Sequence, residues 1–91
     1  MKGWNRMKLK ETFITHTANN EQILVDTSGK FSGIVRNNNT AAFIVDCLKE
    51  ETSVDEIVDK MVEEYDAPIE DIKEGVNNVL NTLRKIGALD E

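Results

Sequence analysis

The stretch Gly29-Lys-Phe-Ser-Gly-Ile-Val-Arg-Asn-Asn-Asn-Thr-Ala-Ala-Phe-Ile-Val45 holds the junction on which the fold turns. A β-type run, Phe31 to Arg36, passes into a helix start at Asn38 with no linker between them. Before this junction the chain reads as short strands, and after it as three amphipathic helices. A strand at the edge of so small a sheet leaves a row of backbone N–H and C=O groups open to another chain. Capture of an extended peptide by strand addition is the expectation that follows.

Upstream, Thr12 to Thr17 is rich in β-branched and aromatic residues and stops at Ala18-Asn19-Asn20, a turn signal. Gln22 to Asp26 is a second apolar run, stopped by Thr27-Ser28-Gly29. With Phe31–Arg36 these make three short strands of an antiparallel meander. Downstream, Asn38 is a suitable N-cap, and Ala41, Ile44, Val45 and Leu48 follow at helical spacing. Ser53-Val-Asp-Glu56 reads as a capping box, with Glu56 expected to reach back to the cap amide. The stripe of this second helix is Val54, Ile57, Val58, Met61, Val62 and Tyr65. Pro68 opens a third, with Ile69, Ile72, Val76, Val79, Leu80, Leu83 and Ile86 on one side. Gly87 is its expected C′ residue, after which Ala88-Leu89 can fold back on the core. The order βββααα predicts an α+β, winged-helix-like domain: a three-stranded antiparallel sheet followed by three helices.

Ninety-one residues make one domain that buries about 60–65% of its unfolded surface, with one core and no room for a deep enclosed pocket. Residues 1–8 read as a flexible basic arm carrying Lys2, Arg6 and Lys8, and residues 9–91 as the folded domain. No apolar segment approaches the ~18 residues of a membrane span, and no secretory h-region follows the basic start. The expected location is therefore cytoplasmic, with no membrane partner. The charge is uneven: residues 1–36 hold 6 Lys/Arg against 3 Asp/Glu, whereas residues 37–91 hold 5 against 14. An acidic helical body argues against phosphate-backbone binding, which needs clustered cations. A winged-helix DNA-binding or regulatory protein remains the alternative, because the architecture permits it.

No Gly-rich phosphate loop, Ser/His/Asp set or metal-ligand cluster stands out, so no enzyme, metal or cofactor is expected. Cys47, the one cysteine, lies within the first helix among apolar residues and reads as a small hydrophobe. His16, the one histidine, sits in a run of threonines. The acidic pairs Glu50-Glu51, Glu63-Glu64 and Glu70-Asp71 read as solvated helix faces or ends.

The run Phe31-Ser-Gly-Ile-Val-Arg36, the opening Asn38-Asn39-Thr40-Ala41-Ala42 and the end Leu83-Arg-Lys-Ile-Gly87-Ala-Leu89 resemble the pyrroloquinoline quinone biosynthesis protein D (PqqD) family. The wider class is the RiPP recognition element, which occurs alone or fused to enzymes that modify ribosomally made peptides. The resemblance spans about residues 9–89. It implies a non-catalytic, cofactor-free adaptor for the leader segment of a precursor peptide. The leader adds beside the third strand, lies against the third helix, and is presented to a separate maturation enzyme, often a radical S-adenosylmethionine enzyme. Carried onto this chain, the peptide-binding residues are Phe31, Ser32, Gly33, Ile34, Val35 and Arg36 on the strand, and Lys73, Val76, Asn77, Leu80 and Arg84 on the helix. The same edge can instead pair with a second copy. Asn37 stands where the family commonly has Leu, so an apolar contact is lost there. Either neighbours refill that space or the junction is looser. The aromatic often found in the first helix is replaced by Val45.

Overall fold

The computed structural model describes residues 6–91. The elements are β1 (Lys8–Leu9), β2 (Phe13–Ala18), β3 (Glu21–Asp26), β4 (Ile34–Asn37), α1 (Asn39–Cys47), α2 (Val54–Glu64), α3 (Ile69–Lys85) and β5 (Leu89–Asp90). Strands β2, β3 and β4 form an antiparallel meander in that order, so β2 and β4 are its two edges. The expected three-stranded sheet followed by three helices is present.

The β2–β3 turn has both central residues, Asn19 and Asn20, at positive φ (55° and 64°), with Ala18 paired to Glu21. This is the two-residue hairpin whose twist matches the strands, and Asn tolerates both positions. The pairing sets Phe13, Leu24, Gln22, Val35 and Asn37 on one face of the sheet and Ile14, His16, Ile23, Val25, Ile34 and Arg36 on the other. Phe13, Leu24, Gln22 and Asn37 are buried and Val35 is half-buried, so the first face packs on the core. The second face is open, with Ile14 49% and Ile34 61% exposed.

Asn38 caps α1 as expected, its side-chain oxygen accepting from the Ala41 N–H at 2.8 Å. Ser53 caps α2, accepting from the Glu56 N–H at 3.3 Å. The Glu56 side chain accepts chiefly from Arg6 (2.9 Å) and the Thr52 hydroxyl (3.1 Å), the guanidinium being the stronger partner, and its expected reach back to the Ser53 N–H is the weakest of the bonds that lower its carboxyl. Helix α3 ends in a Schellman motif: Gly87, at φ 75°, donates to the Arg84 carbonyl (3.1 Å) and Ala88 to the Leu83 carbonyl (2.9 Å). Its reversal returns Ala88 and Leu89 to the core as expected, and Leu89 then pairs with Leu9.

That pairing makes a second sheet, β1 with β5, which two-residue strands do not announce in a sequence. Residues 1–5 of the expected flexible arm lie outside the described residues. Its last three are part of the fold: Met7 is buried and exchanges two hydrogen bonds with Thr52 (2.8 and 2.9 Å), and Lys8 pairs with Asp90. The core gathers Leu24, Ile44, Val45, Leu48, Ile57, Met61, Val76, Leu80 and Leu83, each almost wholly buried. Val62 and Ile69, counted into the helix stripes, face outward instead. Phe43, left out of the α1 stripe, packs edge-on against Tyr65 with ring centroids 5.7 Å apart. An aromatic thus does serve α1, two residues before the Val45 that stands at the family's position.

Candidate functional site

The third strand is shorter and later than the periodicity predicts. Ile34–Asn37 pairs with β3, while Phe31, Ser32 and Gly33 lie ahead of the ladder. The Asp26 carboxylate is the local cause. It accepts from the Ser28 hydroxyl (2.7 Å) and Ser28 N–H (2.9 Å), and its second oxygen accepts from the Phe31 N–H (2.9 Å). The Phe31 amide is therefore turned to a side chain instead of to β3. The Ser28 hydroxyl bond, with the Ser28 and Phe31 N–H groups, holds the Asp26 carboxyl below its usual range against a smaller opposing desolvation. The Phe31 ring then lies over Gly33, where an added Cβ would sit 2.9 Å from its Cζ. Gly33 thus accommodates the chain's own phenyl ring.

Alternation of the ladder decides which β4 groups are free. The two-residue turn closes on a hydrogen-bonded Ala18–Glu21 pair, and the Thr27 N–H donates to the Thr12 carbonyl at 2.6 Å in the same register. Ile23 and Val25 therefore bond to β2, and Gln22 and Leu24 to β4. On β4 this consumes the amides of Val35 and Asn37, and leaves those of Ile34 and Arg36 pointing out of the sheet. An added strand would find two residues' worth of donors and acceptors there. Its side chain opposite Val35 would fall on the inner face beside the core. The Arg36 side chain is on the outer face, paired with Glu21 at 3.2 Å and well exposed.

Helix α3 presents two flanks beside its buried ridge of Ile72, Val76, Leu80 and Leu83. Helical spacing puts Gly75, Val79 and Ile86 on one flank and Lys73, Asn77 and Arg84 on the other. Ile86 lines a hollow with Phe13, Asp26, Ser28 and Lys30, which turns its flank toward the loop leading into β4. Arg84 lines a different hollow with Arg6, Ser53 and Val54. Its guanidinium donates twice to the Glu91 carboxylate (2.9 and 3.1 Å), which lowers the Glu91 carboxyl. The helix residues expected to form one wall are thus divided. Val76 and Leu80 are fully buried and offer no surface to a ligand. Lys73 and Asn77 are exposed on the Arg84 flank. Val79 and Ile86, half-buried against the core as Phe31 and Val35 are, belong in the sequence pattern only to the core stripe. Their positions at the stripe's edge are the signal that marked them.

At the far end of β4 the space left by the expected Leu is filled by polar pairing. Asn37 is 6% exposed and donates from Nδ2 to Gln22 Oε1 at 2.7 Å. The Gln22 Nε2 donates in turn to Asp46 Oδ1 on α1 at 3.1 Å. Gln22 and Asn37 are also register partners. The relay ties β4, β3 and α1 together, so the junction is refilled rather than loosened. Burial pushes the Cys47 thiol up, leaving it protonated near neutrality. Among the described residues no cluster of His, Cys, Asp or Glu could hold a metal, and no helix is long and apolar enough to cross a membrane.

Residues 21–89 match the family model described as coenzyme PQQ synthesis protein D (PqqD). Two solved structures share the fold. The complex of TbiB1 with the TbiA(beta) leader peptide aligns with a TM-score of 0.78 at 18% identity, over 91% of this chain and 94% of that one. A lasso peptide synthetase B1 complexed with its leader peptide aligns with a TM-score of 0.77 at 19% identity, over 93% and 98%. No curated protein sequence matches the chain.

Proposed function

The chain belongs to the PqqD family, and from that premise we infer that it is a non-catalytic adaptor for a ribosomally made precursor peptide. The leader segment adds as a strand to β4, hydrogen-bonded to the backbone of Ile34 and Arg36. Its inward side chains rest among Phe31, Val35, Val79 and Ile86. The bound precursor is presented to a separate modifying enzyme, often a radical S-adenosylmethionine enzyme in this family, in the cytoplasm where the precursor is made. The observation that carries this reading is the unpaired edge of β4, whose Val35, with Phe31 just ahead of the strand, is half-buried against the core. The leader peptides held by the two solved relatives support it. Backbone pairing supplies affinity that tolerates sequence variation, while the apolar pockets read alternate residues.

An NMR titration of labelled protein with the leader half of a candidate precursor tests the assignment. Amide shifts should concentrate on Ile34 to Asn37 and on Val79 to Ile86. Ile34→Pro removes an outward-facing N–H without touching the β3–β4 ladder, and should abolish binding in a folded protein. A peptide that binds the proline variant as tightly as the parent would refute strand addition at β4.

A further inference from the structure

The free edge of β4 offers three side chains that differ in kind as well as a backbone to pair with. Register places Ile34 and Arg36 on the outer face of the sheet and Val35 on the inner one. Val35 is half-buried against the core, whereas Ile34 is 61% exposed. Ile34 ends an outer row that runs Ile14, Val25, Ile34 across the three strands. Val25, flanked on both sides, is half-buried; Ile34 lacks the cross-strand neighbour that would cover its free side. Arg36 is the one charged side chain of β4. It spends Nη1 on Glu21 at 3.2 Å, an exposed pair of little strength. The rest of its fork makes no bond among the described residues, and apart from Glu21 the hollow beside it is lined by uncharged Asn19, Asn20 and Asn37 to Asn39.

Antiparallel addition, the more stable pairing and the one used throughout this sheet, fixes what stands opposite each residue. Three consecutive leader positions, taken from N- to C-terminus, face Arg36, Val35 and Ile34. The first and third make hydrogen-bonded pairs on the outer face. The second makes a non-bonded pair on the inner face, where side chains approach most closely. A carboxylate at the first position meets the unused part of the Arg36 fork. An apolar second residue packs on Val35, and an apolar third extends the outer row by one strand and covers Ile34. The pattern stops there, because the Phe31 N–H is held by Asp26 and its ring occupies the space beside Gly33. Resting on the strand-addition reading above, we propose that β4 selects leaders by a three-residue signature, acidic-apolar-apolar. Arg36 and Ile34 are its specificity-determining residues, and they read the leader from the outer face of the sheet.

Selection from a displayed library of random dodecapeptides tests this. Peptides enriched on the wild type should share an Asp or Glu followed by two apolar residues. On Arg36→Glu the first position should turn to Lys or Arg, and on Arg36→Gln it should lose its charge preference. On Ile34→Thr only the third position should lose its apolar preference. In titrations of one enriched peptide, changing its acid to Lys should weaken wild-type binding roughly 2–10-fold and tighten binding to Arg36→Glu. An acid retained on Arg36→Glu, the signature in reverse order, or a third position indifferent to Ile34→Thr would each overturn the proposal while strand addition stood. Enriched peptides that bind Ile34→Pro as tightly as the wild type would instead refute the β4 site itself, and the signature with it.

Discussion

Asn37 shows how one side chain is decided by its neighbour. A buried amide without partners costs about 1–3 kcal/mol, yet Asn37 is held by Gln22, its own register partner, and Gln22 by Asp46. Asn37→Leu should therefore destabilise the domain by about 1–3 kcal/mol despite adding apolar surface, since it strands the Gln22 oxygen. Joined with Gln22→Val, the same change should recover most of that loss. Urea unfolding of the two single variants and the double would read the coupling, and additivity would contradict the relay. Asp26 makes the second residue-scale prediction. Its carboxyl is depressed in the fold, so its bonds to Ser28 and Phe31 contribute fully above the unfolded carboxyl pKa. They are lost as pH falls through the lower, folded value. The Phe31 amide resonance should move through that acidic window in the wild type and stay still in Asp26→Asn.

At the scale of elements, β4 and α3 each differ from their sequence patterns for a local reason. Asp26 delays β4 by three residues, and the flank of α3 facing the sheet is set by which side Ile86 takes. On that flank Gly75 is half-buried in mid-helix, where glycine costs about 0.5–1 kcal/mol relative to alanine. A Cβ placed there would meet nothing within 4 Å. Gly75→Ala should accordingly raise stability by about 0.5–1 kcal/mol in thermal unfolding while weakening leader-peptide binding, because the methyl group occupies space the peptide would use. Added stability with unchanged affinity would exclude that space from the site.

Seen whole, the molecule is a slab of 36 × 36 × 19 Å, with the sheet standing beside the helices and its outer face bare. Binding along β4, as proposed, would join the peptide to a sheet anchored through Leu24, Val35 and the Asn37 relay, so occupancy should be felt by global unfolding. At one hundred times Kd a ligand that binds only the native state adds about 2.7 kcal/mol. For a domain of this size that corresponds to a melting-temperature rise of roughly 10–20 °C. Calorimetry with a cognate leader should show it, and a scrambled peptide should not.

Order and type of the main elements were legible in the sequence because they rest on local physics. Helical spacing marked α1 to α3, Asn38 and Ser53 marked two caps, Gly87 marked the α3 stop, and Asn19-Asn20 marked the hairpin. Each involves residues within a few positions of one another. Where Arg84 spends its charge and what fills the place beside Asn37 depend on partners 7 to 24 residues away. Likewise β1 and β5 exist only because the Gly87 turn returns Leu89 to Leu9. Local sequence thus determined the elements and named the Ile34–Arg36 edge, and tertiary packing decided the rest of the candidate site, since hydrogen-bond partners and faces are chosen only when distant segments compete for the same groups.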